Sequence, residues 1–342
     1  MTDTRYVGIK EETEYGKLEA TTEYDFQVAS AGLDVPDDPN IVLPILGRFD
    51  ERHIAGYYSP SGPLELPVDI ATITYFLKWA LGGYKFTEGT LPAPNKHEFY
   101  ATQEFELPSF NTRVGKDTFE HIFTGCVADT LSISVENELA MLNVGVTAQR
   151  DTKDVLRTGA ALNKPDPDLY PMAFYNAKCE VDSVDLSHII KSWNWEFGNG
   201  VNADDGQGLG SRFPYNMKPT KGECGLTINV LDEDTDFLEE FWGNANGPAD
   251  SEWQNEAGVD THVPFPVETF FESGEFGDMK IVMPKCYYTK VPTAISGGDP
   301  RRPDLAIKCE ADTVLLADGI TEVKTPVYIL LENFENTLVL TP

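Results

Sequence analysis

Two separate segments in which apolar residues alternate with other residues predict two β-strands of the same kind. In the first segment Leu64, Leu66 and Val68 are apolar, and the residues between them are Glu and Pro, so the three lie on one face of a strand. The alternation returns 162 positions after Leu64, over residues 226–230. Each segment follows a turn that contains glycine. The pattern therefore predicts the same strand twice.

An amphipathic helix is predicted directly after each of these strands. The first begins near Asp69 and ends at Gly82, because glycine readily takes the left-handed conformation that terminates a helix. The second begins near Asp232, in a run of acids that suits the positive end of the helix dipole. The apolar faces are Ile73, Phe76, Leu77, Ala80 and Leu81 in the first helix and Phe237, Leu238, Phe241 and Trp242 in the second. We interpret the two helices as the same element.

Further matches keep the same order and nearly the same spacing. Cys126 lies 160 positions before Cys286, and Asp151 lies 161 positions before Asp312. Upstream of the strands are two alternating aromatic segments, Tyr24–Val28 and Trp193–Phe197. Several kinds of element in one order are improbable by chance, so we predict an internal duplication.

The predicted fold class is mainly β, with two tandem domains that each form a β-sandwich or barrel with one flanking α-helix. The 11% of aromatic residues, 28 Gly and 23 Pro favour strands and turns over long helices. The first domain spans residues 1–165 and the second spans residues 166–342. The boundary is placed at Lys164–Asp168, where Pro and Asp interrupt every periodic pattern.

The C-terminal segment has two interpretations. The residues after Gly319 have no clear match in the first half. They form either an arm that reaches a neighbouring molecule or the last strand of the second domain.

A β-hairpin is predicted around the turn Asn137-Glu138. Residues 130–135 alternate between apolar positions, which we expect to be buried, and serines, which we expect to face outward. The return arm ends near Gln149.

The chain carries a large excess of acidic residues. It has 56 Asp and Glu against 26 Lys and Arg, which gives a net charge of −30 at pH 7. Such a surface repels the phosphates of nucleic acids and anionic lipids, so it does not bind DNA by attraction. Two explanations stay open. One is adaptation to a high-salt cytoplasm, where ions screen the repulsion between surface acids; the other is an acidic surface along which DNA slides.

The cysteines and the N-terminus indicate where the protein is made. The five cysteines form no CxxC pair and none lies near a histidine at ligand spacing, so we expect buried free thiols in a reducing compartment. The first residues lack the basic and apolar regions of a signal peptide. No apolar run approaches the roughly 20 residues needed to span a bilayer. We expect a soluble protein made in the cytoplasm.

The sequence contains no motif for catalysis or cofactor binding that lacks a simpler structural explanation. The five histidines never occur at the i, i+4 spacing of a helical zinc site, and neither a Walker loop nor a G-x-S-x-G nucleophile elbow is present. The glycine-rich segment Asp204–Gly210 lacks the phosphate-loop pattern, and Val201 takes the place of the first EF-hand ligand. We interpret this segment as a flexible connector.

Two other groups of residues have a structural explanation. The acids of residues 232–240 are the solvated face of the second helix. Trp79, Trp242 and Trp253 are core or interface anchors. We therefore predict no catalytic, cofactor-binding or metal-binding residues and no cofactor.

Three segments resemble the major tail tube proteins of long-tailed phages and archaeal viruses. Ser61–Val68 is similar to that family's strand "sG-x-l-e", and Tyr75–Gly82 is similar to its helix ending "ll-x-x-l-G". Phe123–Ile133 resembles its strand "y-x-G-c-x-v-x-s-l-s-l". The resemblance covers residues 24–152 and, through the duplication, residues 193–313. The doubling is a departure, since many tube proteins have one such domain per chain.

The resemblance implies a structural virion protein with two tail-tube-like domains, and not an enzyme. Copies would form stacked rings of a hollow tail tube that conducts viral DNA into the host. In such rings the sheets of neighbouring domains join edge to edge around a channel. Loops 33–47 and 199–211 and the chain termini are the candidates that connect one ring to the next.

The resemblance also implies partners and a location. A ring of six domains can be six single-domain chains or three duplicated ones, so we favour a homotrimer with pseudo-sixfold symmetry, with a homohexamer as the alternative. Other tail proteins are expected partners, DNA passes without specific binding, and no membrane is involved. The protein would lie in the virion tail after assembly in the host cytoplasm. Its acidity favours a halophilic archaeal host.

Other functions remain as alternatives at this point. A baseplate, tail-terminator or sheath component could carry the same domain, and its copy number in the virion would distinguish it from a tube subunit. A surface-layer or binding module would require a secretion signal. A carboxylate-based hydrolase would require two acids brought together in a cleft.

Overall fold

A computed structural model of the protein describes residues 5–26, 30–36, 40–43, 52–89, 93–136, 138–164, 172–231, 237, 241, 264–272, 277–292 and 302–333. The strands before residue 165, the first half, are β1 (Val7–Glu11), β2 (Tyr24–Phe26), β3 (Ser30–Ala31), β4 (Asn40–Leu43), β5 (Arg52–Ala55), β6 (Ser61–Pro67), β7 (Gly82–Thr87), β8 (Asn95–Ala101), β9 (Phe110–Gly115), β10 (Glu120–Glu136), β11 (Ala140–Thr147) and β12 (Arg150–Asp154). Those of the second half are β13 (Ala177–Val181), β14 (Val184–Asp185), β15 (Ile190–Gly198), β16 (Glu223–Val230), β17 (Phe265–Glu272), β18 (Asp278–Lys290), β19 (Asp304–Glu310), β20 (Asp312–Leu315), β21 (Glu322–Thr325) and β22 (Tyr328–Asn333). The helix α1 spans Ile70–Leu81, and 3-10 turns span Gly159–Ala161, Phe174–Asn176 and Ala203–Gly206.

The mainly β fold class predicted from the sequence is confirmed. Every strand pair in the described residues is antiparallel. Eighteen strands form one barrel-like hydrogen-bonded network, while β4 with β5 and β20 with β21 form two-stranded ribbons. Within the described part of the chain, no helix is both long and apolar enough to cross a membrane.

Eight of the strands lie side by side in one sheet. Their order is β3–β6–β11–β10–β15–β16–β19–β18, so four strands come from each half of the chain. We call this the eight-stranded sheet. The predicted hairpin is part of it, formed by β10 and β11, and Leu131, Ile133 and Val135 are buried as expected. The strands predicted from Leu64 and from residues 226–230 are its β6 and β16.

The two longest strands also pair outside the eight-stranded sheet. The first residues of β10, Glu120–Cys126, pair with β9 and β12. The first residues of β18, Asp278–Met283, pair with β17 and β22. Both strands contain register irregularities, at Ala128/Thr130 and at Tyr288/Lys290. Such bulges bend a strand and increase its twist, which lets one strand belong to two sets of pairings.

The helix α1 begins and ends where the sequence predicts. Asp69 caps its first turn, since Asp69 Oδ1 accepts a hydrogen bond from the Thr72 backbone N–H at 2.8 Å. Gly82, with φ of 77°, ends the helix in the left-handed conformation. The predicted apolar face is fully buried and comprises Ile73, Phe76, Leu77, Ala80 and Leu81.

Aromatic rings fix the helix against the strands. Trp79 stacks on Phe110 with ring centroids 4.3 Å apart, and Phe76 meets Phe110 edge to face. The indole N–H of Trp79 donates to Glu11 Oε2 at 3.0 Å. Trp79 is therefore the core anchor that the sequence predicts.

The second predicted helix is described at only two positions. Phe237 and Phe241 are helical, and both pack against the core. Asp232, Leu238 and Trp242 lie outside the described residues, as does Trp253.

The two halves share one order of strand pairing. In the first half it runs β2–β1–β9–β10–β11–β6–β3. In the second half it runs β14–β13–β17–β18–β19–β16–β15. Cys126 and Cys286, which match each other in the sequence, fit this order. Cys126 in β10 lies opposite Phe110 in β9, and Cys286 in β18 lies opposite Phe265 in β17.

Two details differ from the sequence expectations, and a third concerns an interpretation that the sequence left open. Tyr24 and Phe26 belong to β2, which pairs with β1, so the strand that takes the place of β15 is β3. Asp312 begins β20, which pairs with β21, whereas Asp151 lies in β12 against β10. The segment after Gly319 contains β22, a strand between β18 and β8, as the second of the two interpretations has it. Residues 334–342 and the boundary residues 165–168 lie outside the described part.

The two halves are joined by strand pairing and by a common core. β10 pairs with β15, and β22 of the second half pairs with β8 of the first. At the end of β15 the buried Asn199 donates to the carbonyls of Ala80, at 2.8 Å, and Ala128, at 3.0 Å. One cluster of buried side chains contains residues from both halves. Within the described residues the two halves therefore share one buried core.

A buried ion network fastens the segment after β12 to the start of the chain. Arg157 contacts Asp25 at 2.8 Å and Glu120 at 2.6 Å, and both carboxylates are fully buried. Arg113 contacts Glu120 at 2.8 Å, and the Tyr6 hydroxyl donates to the same carboxylate at 2.5 Å. Several donors thus share each buried charge, which offsets its desolvation.

Candidate assembly surface

One face of the eight-stranded sheet is polar and turned away from the core. Along each strand the exposed or half-buried side chains alternate with buried ones. One row of directly opposed residues crosses the whole sheet and reads Ser30–Glu65–Asn143–Ser132–Glu196–Gly225–Lys308–Tyr287. We call this surface the polar face. Its side chains are mostly small hydroxyls, amides and carboxylates, with a single aromatic ring in this row.

Acidic residues outnumber basic ones on the polar face. The acids are Glu65, Glu136, Glu196, Glu223, Asp304 and Glu310, and the bases are Lys285, Lys290 and Lys308. Lys285 contacts Glu310 at 3.4 Å, which neutralises part of its charge. The three lysines lie on the neighbouring strands β18 and β19, at one end of the sheet, whereas the acids are spread over β6, β10, β15, β16 and β19.

Each end of the eight-stranded sheet is formed by a strand with residues that pair on one side only among the described strands. β3 pairs with β6, and no other described strand pairs with it. β18 pairs with β17 only as far as Cys286, and then continues to Lys290. Thr289 and Lys290 are exposed. The edge of a sheet presents backbone donors and acceptors to a further strand, so both ends are suited to pairing with another chain.

The segment before β6 packs against the segment before β16, through residues that follow the loops 33–47 and 199–211 expected to connect rings. Of loop 33–47, residues 37–39 and 44–47 lie outside the described part of the chain. The loop before β6 and the loop before β16 follow corresponding strands, β3 and β15. Arg212 Nε donates to the Gly56 carbonyl at 2.9 Å, and the Tyr58 backbone N–H donates to the Arg212 carbonyl at 2.9 Å. Phe213 meets the Tyr58 ring edge to face. Leu209, in the second loop, is fully exposed, at 103% of its reference area.

A comparison with protein families identifies the family of this chain. The family model described as phage tail tube protein matches residues 2–300, which is most of the chain. The chain belongs to the phage tail tube protein family. No curated protein matches it.

A tail tube protein is a structural component of the virion tail and not an enzyme. It assembles into an oligomeric tube with other tail proteins.

The cysteines of the tail tube protein are buried free thiols, namely Cys126, Cys179, Cys224, Cys286 and Cys309. Burial raises the pKa of Cys179 to about 11, so its reactive thiolate form is scarce at neutral pH. Cys179 lines a hollow of about 370 Å³ together with the aromatic side chains of Trp193 and Phe271. The hollow presents an inert thiol rather than a nucleophile.

The pair of ionisable residues His121 and Asp151 was not predicted from the sequence. His121 Nε2 lies 2.6 Å from Asp151 Oδ2, and the Tyr58 hydroxyl donates to Asp151 Oδ1 at 2.6 Å. The other ring nitrogen, His121 Nδ1, has no hydrogen-bond partner in the described residues, so no nucleophile completes a triad there. The pair fastens β12 to β10. No sequence pattern announces it, because only strand pairing brings residues 121 and 151 together.

The remaining candidates have local roles. In the glycine-rich segment the Asp204 backbone N–H donates to the Asn202 side chain at 3.0 Å, and Asp204 Oδ1 accepts from Gln207 at 2.8 Å. Among the described residues no group of three or more His, Cys, Asp or Glu side chains is arranged to hold a metal ion. Of the acids of residues 232–240, none lies within the described part of the chain.

Proposed function

We propose that copies of this tail tube protein close into rings that stack into a hollow tube, and that viral DNA passes through its channel during ejection. The observation that carries the proposal is the polar face, which runs unbroken across eight strands and ends in a strand edge on each side. A sheet with a polar side and an open edge at both ends is suited to close on copies of itself around an aqueous channel.

The polar face would line the channel. Glu65, Glu196 and Glu223 repel phosphate, and the hydroxyls and amides between them offer only neutral hydrogen bonds. The lysines of the polar face lie on β18 and β19, so DNA would contact few fixed cations, release few counterions and gain little affinity for the wall. The genome can then slide instead of binding.

We further propose that the chain is an internal duplication with two tail-tube-like domains, over residues 1–165 and 166–342, and that three chains form one pseudo-sixfold ring. The common order of strand pairing in the two halves supports it, as do the sequence matches. Six halves would contribute four strands each to the inner wall. At about 4.8 Å per strand, 24 strands give a circumference of about 115 Å and a diameter of about 37 Å between backbones, which leaves room for a DNA duplex. A hexamer of single chains would double the strand number.

The stacking of rings is assigned to the two long loops. Leu209 is an exposed apolar side chain in a loop whose base is held by Arg212 and Tyr58. A fixed base and an exposed apolar tip suit contact with a neighbouring ring. The C-terminal residues beyond β22 are a further candidate arm.

The acid excess favours a virus of a halophilic archaeal host, with assembly in that host's cytoplasm. At a net charge of −30 the subunits repel each other at low ionic strength. Molar salt shortens the screening length to about 3 Å, so close contacts between acidic subunits are then tolerated.

Electron microscopy of the purified protein tests the proposal. We expect rings or hollow tubes, more abundant in molar KCl than at low salt, and axial averages with six similar densities around an open channel. Native mass measurement of a single ring should give about 114 kDa, three times the 37.9 kDa chain. A mass of about 227 kDa would show that the ring contains six chains instead of three. A protein that stays monomeric at every salt concentration would contradict the ring itself.

A further inference from the structure

The junction between the two halves inside one chain provides a template for the junction between chains. β10 of the first half and β15 of the second half form an antiparallel pair from Thr130↔Gly198 to Glu136↔Ser192. In the shared pairing order, β18 takes the place of β10 and β3 takes the place of β15. The two strands that would repeat the junction are therefore the two ends of the eight-stranded sheet.

We infer that β18 of one copy pairs antiparallel with β3 of the next copy, in the register that β10 and β15 use within the chain. The inference deepens the proposed ring and rests on it. It names the strands that meet and the residues that face each other.

The register on the β3 side follows from its neighbour β6. Asp34 forms a bridge with Ser61, and Gly198 pairs with Glu223. Ser61 and Glu223 are 162 positions apart, which is the spacing of the duplicated strands. Asp34 therefore takes the place of Gly198.

The register on the β18 side follows in the same way. Gly145 pairs with Pro63, and Lys308 pairs with Gly225. Pro63 and Gly225 are again 162 positions apart, so Lys308 takes the place of Gly145. Gly145 also pairs with Thr130, and Lys308 also pairs with Tyr287, so Tyr287 takes the place of Thr130. Because Thr130 faces Gly198 within the chain, Tyr287 faces Asp34 of the next copy.

Two hollows lie at corresponding positions in the two halves, one beside β15 and one beside β3. The hollow beside β15 is lined by Cys179 and Thr269, which pair with each other, and Val135 at the end of β10 forms part of its wall. The hollow beside β3, of about 400 Å³, is lined by Val7 and Val114, which also pair with each other. Ser30 and Ala31 of β3 line this second hollow.

The two hollows differ in the residues that line them. Val135 reaches the first hollow because β10 runs alongside β15. The second hollow contains no residue from the end of β18 of its own chain. In the shared register Lys290, the last residue of β18, takes the place of Ser132, and the buried Val291 follows it as the apolar Ile133 follows Ser132 in the template. The place of Val135 falls at residue 293, which lies outside the described residues.

The charges at the two strand ends are complementary. Lys290 is exposed at the end of β18, where Lys285 contacts Glu310. Asp34 follows β3 with 63% of its side chain exposed, and Lys116 of its own chain contacts it at 3.4 Å. Opposite charges at an interface steer association and fix its register. In an acidic protein such a pairing also limits the repulsion between copies.

A disulfide cross-link tests the register. Directly opposed residues in antiparallel strands have Cα atoms about 4.5–5.5 Å apart, which suits a disulfide. The variant with Asp34→Cys and Tyr287→Cys is assembled into tubes and oxidised mildly. Under non-reducing denaturation we expect covalent oligomers as the main species. The largest oligomer counts the chains in a ring.

Two matched controls accompany it. Thr130→Cys with Gly198→Cys places the same pair at the template junction, where a Cβ at Gly198 meets no atom within 4 Å, so a disulfide should form within one chain. Asp34→Cys with Lys285→Cys shifts the register by two residues on the same face. We expect at least about tenfold less cross-linking from this shifted pair, because the Cα atoms then exceed disulfide distance.

The outcomes separate the inference from the proposed function. Tubes that are visible by electron microscopy but are not cross-linked through residues 34 and 287, while the template pair forms its disulfide, would overturn the register and leave the tube in place. Stronger cross-linking from the shifted pair would have the same consequence. Absence of rings and tubes under all salt conditions, in the unsubstituted chain as well, would overturn both.

Discussion

Ser132 and Glu196 lie directly opposite each other on neighbouring antiparallel strands, although they belong to different halves of the chain. Asn143 flanks Ser132 on its other side, and Gly225 flanks Glu196. The row of small and acidic side chains therefore crosses the junction without a break. Two halves that met through side-chain contacts alone would leave a seam in the polar face, whereas strand pairing makes one continuous wall.

A reversal of charge on this wall should make the tube retain DNA. Glu196→Lys places a cation in the middle of the polar face, and stacking repeats that cation in every ring. We expect tubes of this variant to co-sediment with short DNA duplexes at 50 mM salt and to release them at higher salt, since the added contacts release counterions. Glu14→Lys, at an exposed position away from the polar face, is the control. Equal DNA retention by both variants would argue against the polar face as the lining.

Removal of the exposed apolar loop tip should impair stacking more than ring formation. Leu209→Asp replaces a fully exposed leucine by a charge, so it leaves the fold intact but disfavours an apolar contact between rings. We expect shorter tubes and more single rings in micrographs. Val155→Asp, at another exposed position, should leave tube length unchanged. Tubes of normal length from Leu209→Asp would remove this loop from the stacking contact.

Truncation of the central aromatic side chain of α1 should destabilise the fold. Phe76 is fully buried and meets Phe26, Trp79 and Phe110. Phe76→Ala should lower the free energy of unfolding by about 3–5 kcal/mol, measured by urea denaturation. Phe105→Ala, at a site 65% exposed, should change it by less than about 0.5 kcal/mol. Similar losses for the two variants would mean that the helix packs elsewhere.

Loss of the shared cation in the buried ion network should be more costly than loss of a surface ion pair. Arg157→Met leaves Asp25 and Glu120 buried with fewer partners, and we expect the free energy of unfolding to fall by about 3–5 kcal/mol. Arg5→Met breaks a pair with Asp117 in which Arg5 is 83% exposed, and the free energy of unfolding should change much less, because solvent screens an exposed ion pair. Calorimetry or denaturant titration of both variants gives the comparison, and a cost for Arg157→Met no greater than for Arg5→Met would refute it.

A buried histidine should make the fold sensitive to mild acid. Burial lowers the pKa of His97 to about 4 from its ordinary value of 6.5. The unfolded chain therefore takes up a proton between these values while the folded chain does not, so stability is present above pH 6.5 and is lost as the pH falls toward 4. Between pH 7 and pH 5 the loss due to His97 should be roughly 2 kcal/mol.

The His97→Gln variant isolates this contribution, because it keeps a polar partner for the Tyr84 hydroxyl, 2.9 Å from His97 Nδ1. Its stability should fall less between pH 7 and pH 5 than that of the unsubstituted protein. An identical pH dependence in the two proteins would show that His97 is not buried in its neutral form.

The sequence by itself determined the local elements of this protein. The spacing of Ile73, Phe76 and Leu77 predicted the buried face of α1, and Asp69 and Gly82 predicted its ends. Alternation predicted the buried positions of β6, β10 and β16 in the same way. These predictions hold because buried side chains recur about every 3.6 residues in a helix and every second residue in a strand. The spacing of apolar residues in the sequence shows either period directly.

Only the tertiary structure decided how these elements pair over long distances. It placed β15 against β10, β22 between β18 and β8, and Arg157 between Asp25 and Glu120. Strand pairing uses backbone N–H and C=O groups that are the same in every residue, so a sequence pattern marks a strand without naming its neighbour. The polar face arises from that pairing, because its rows exist only once the strands stand in register.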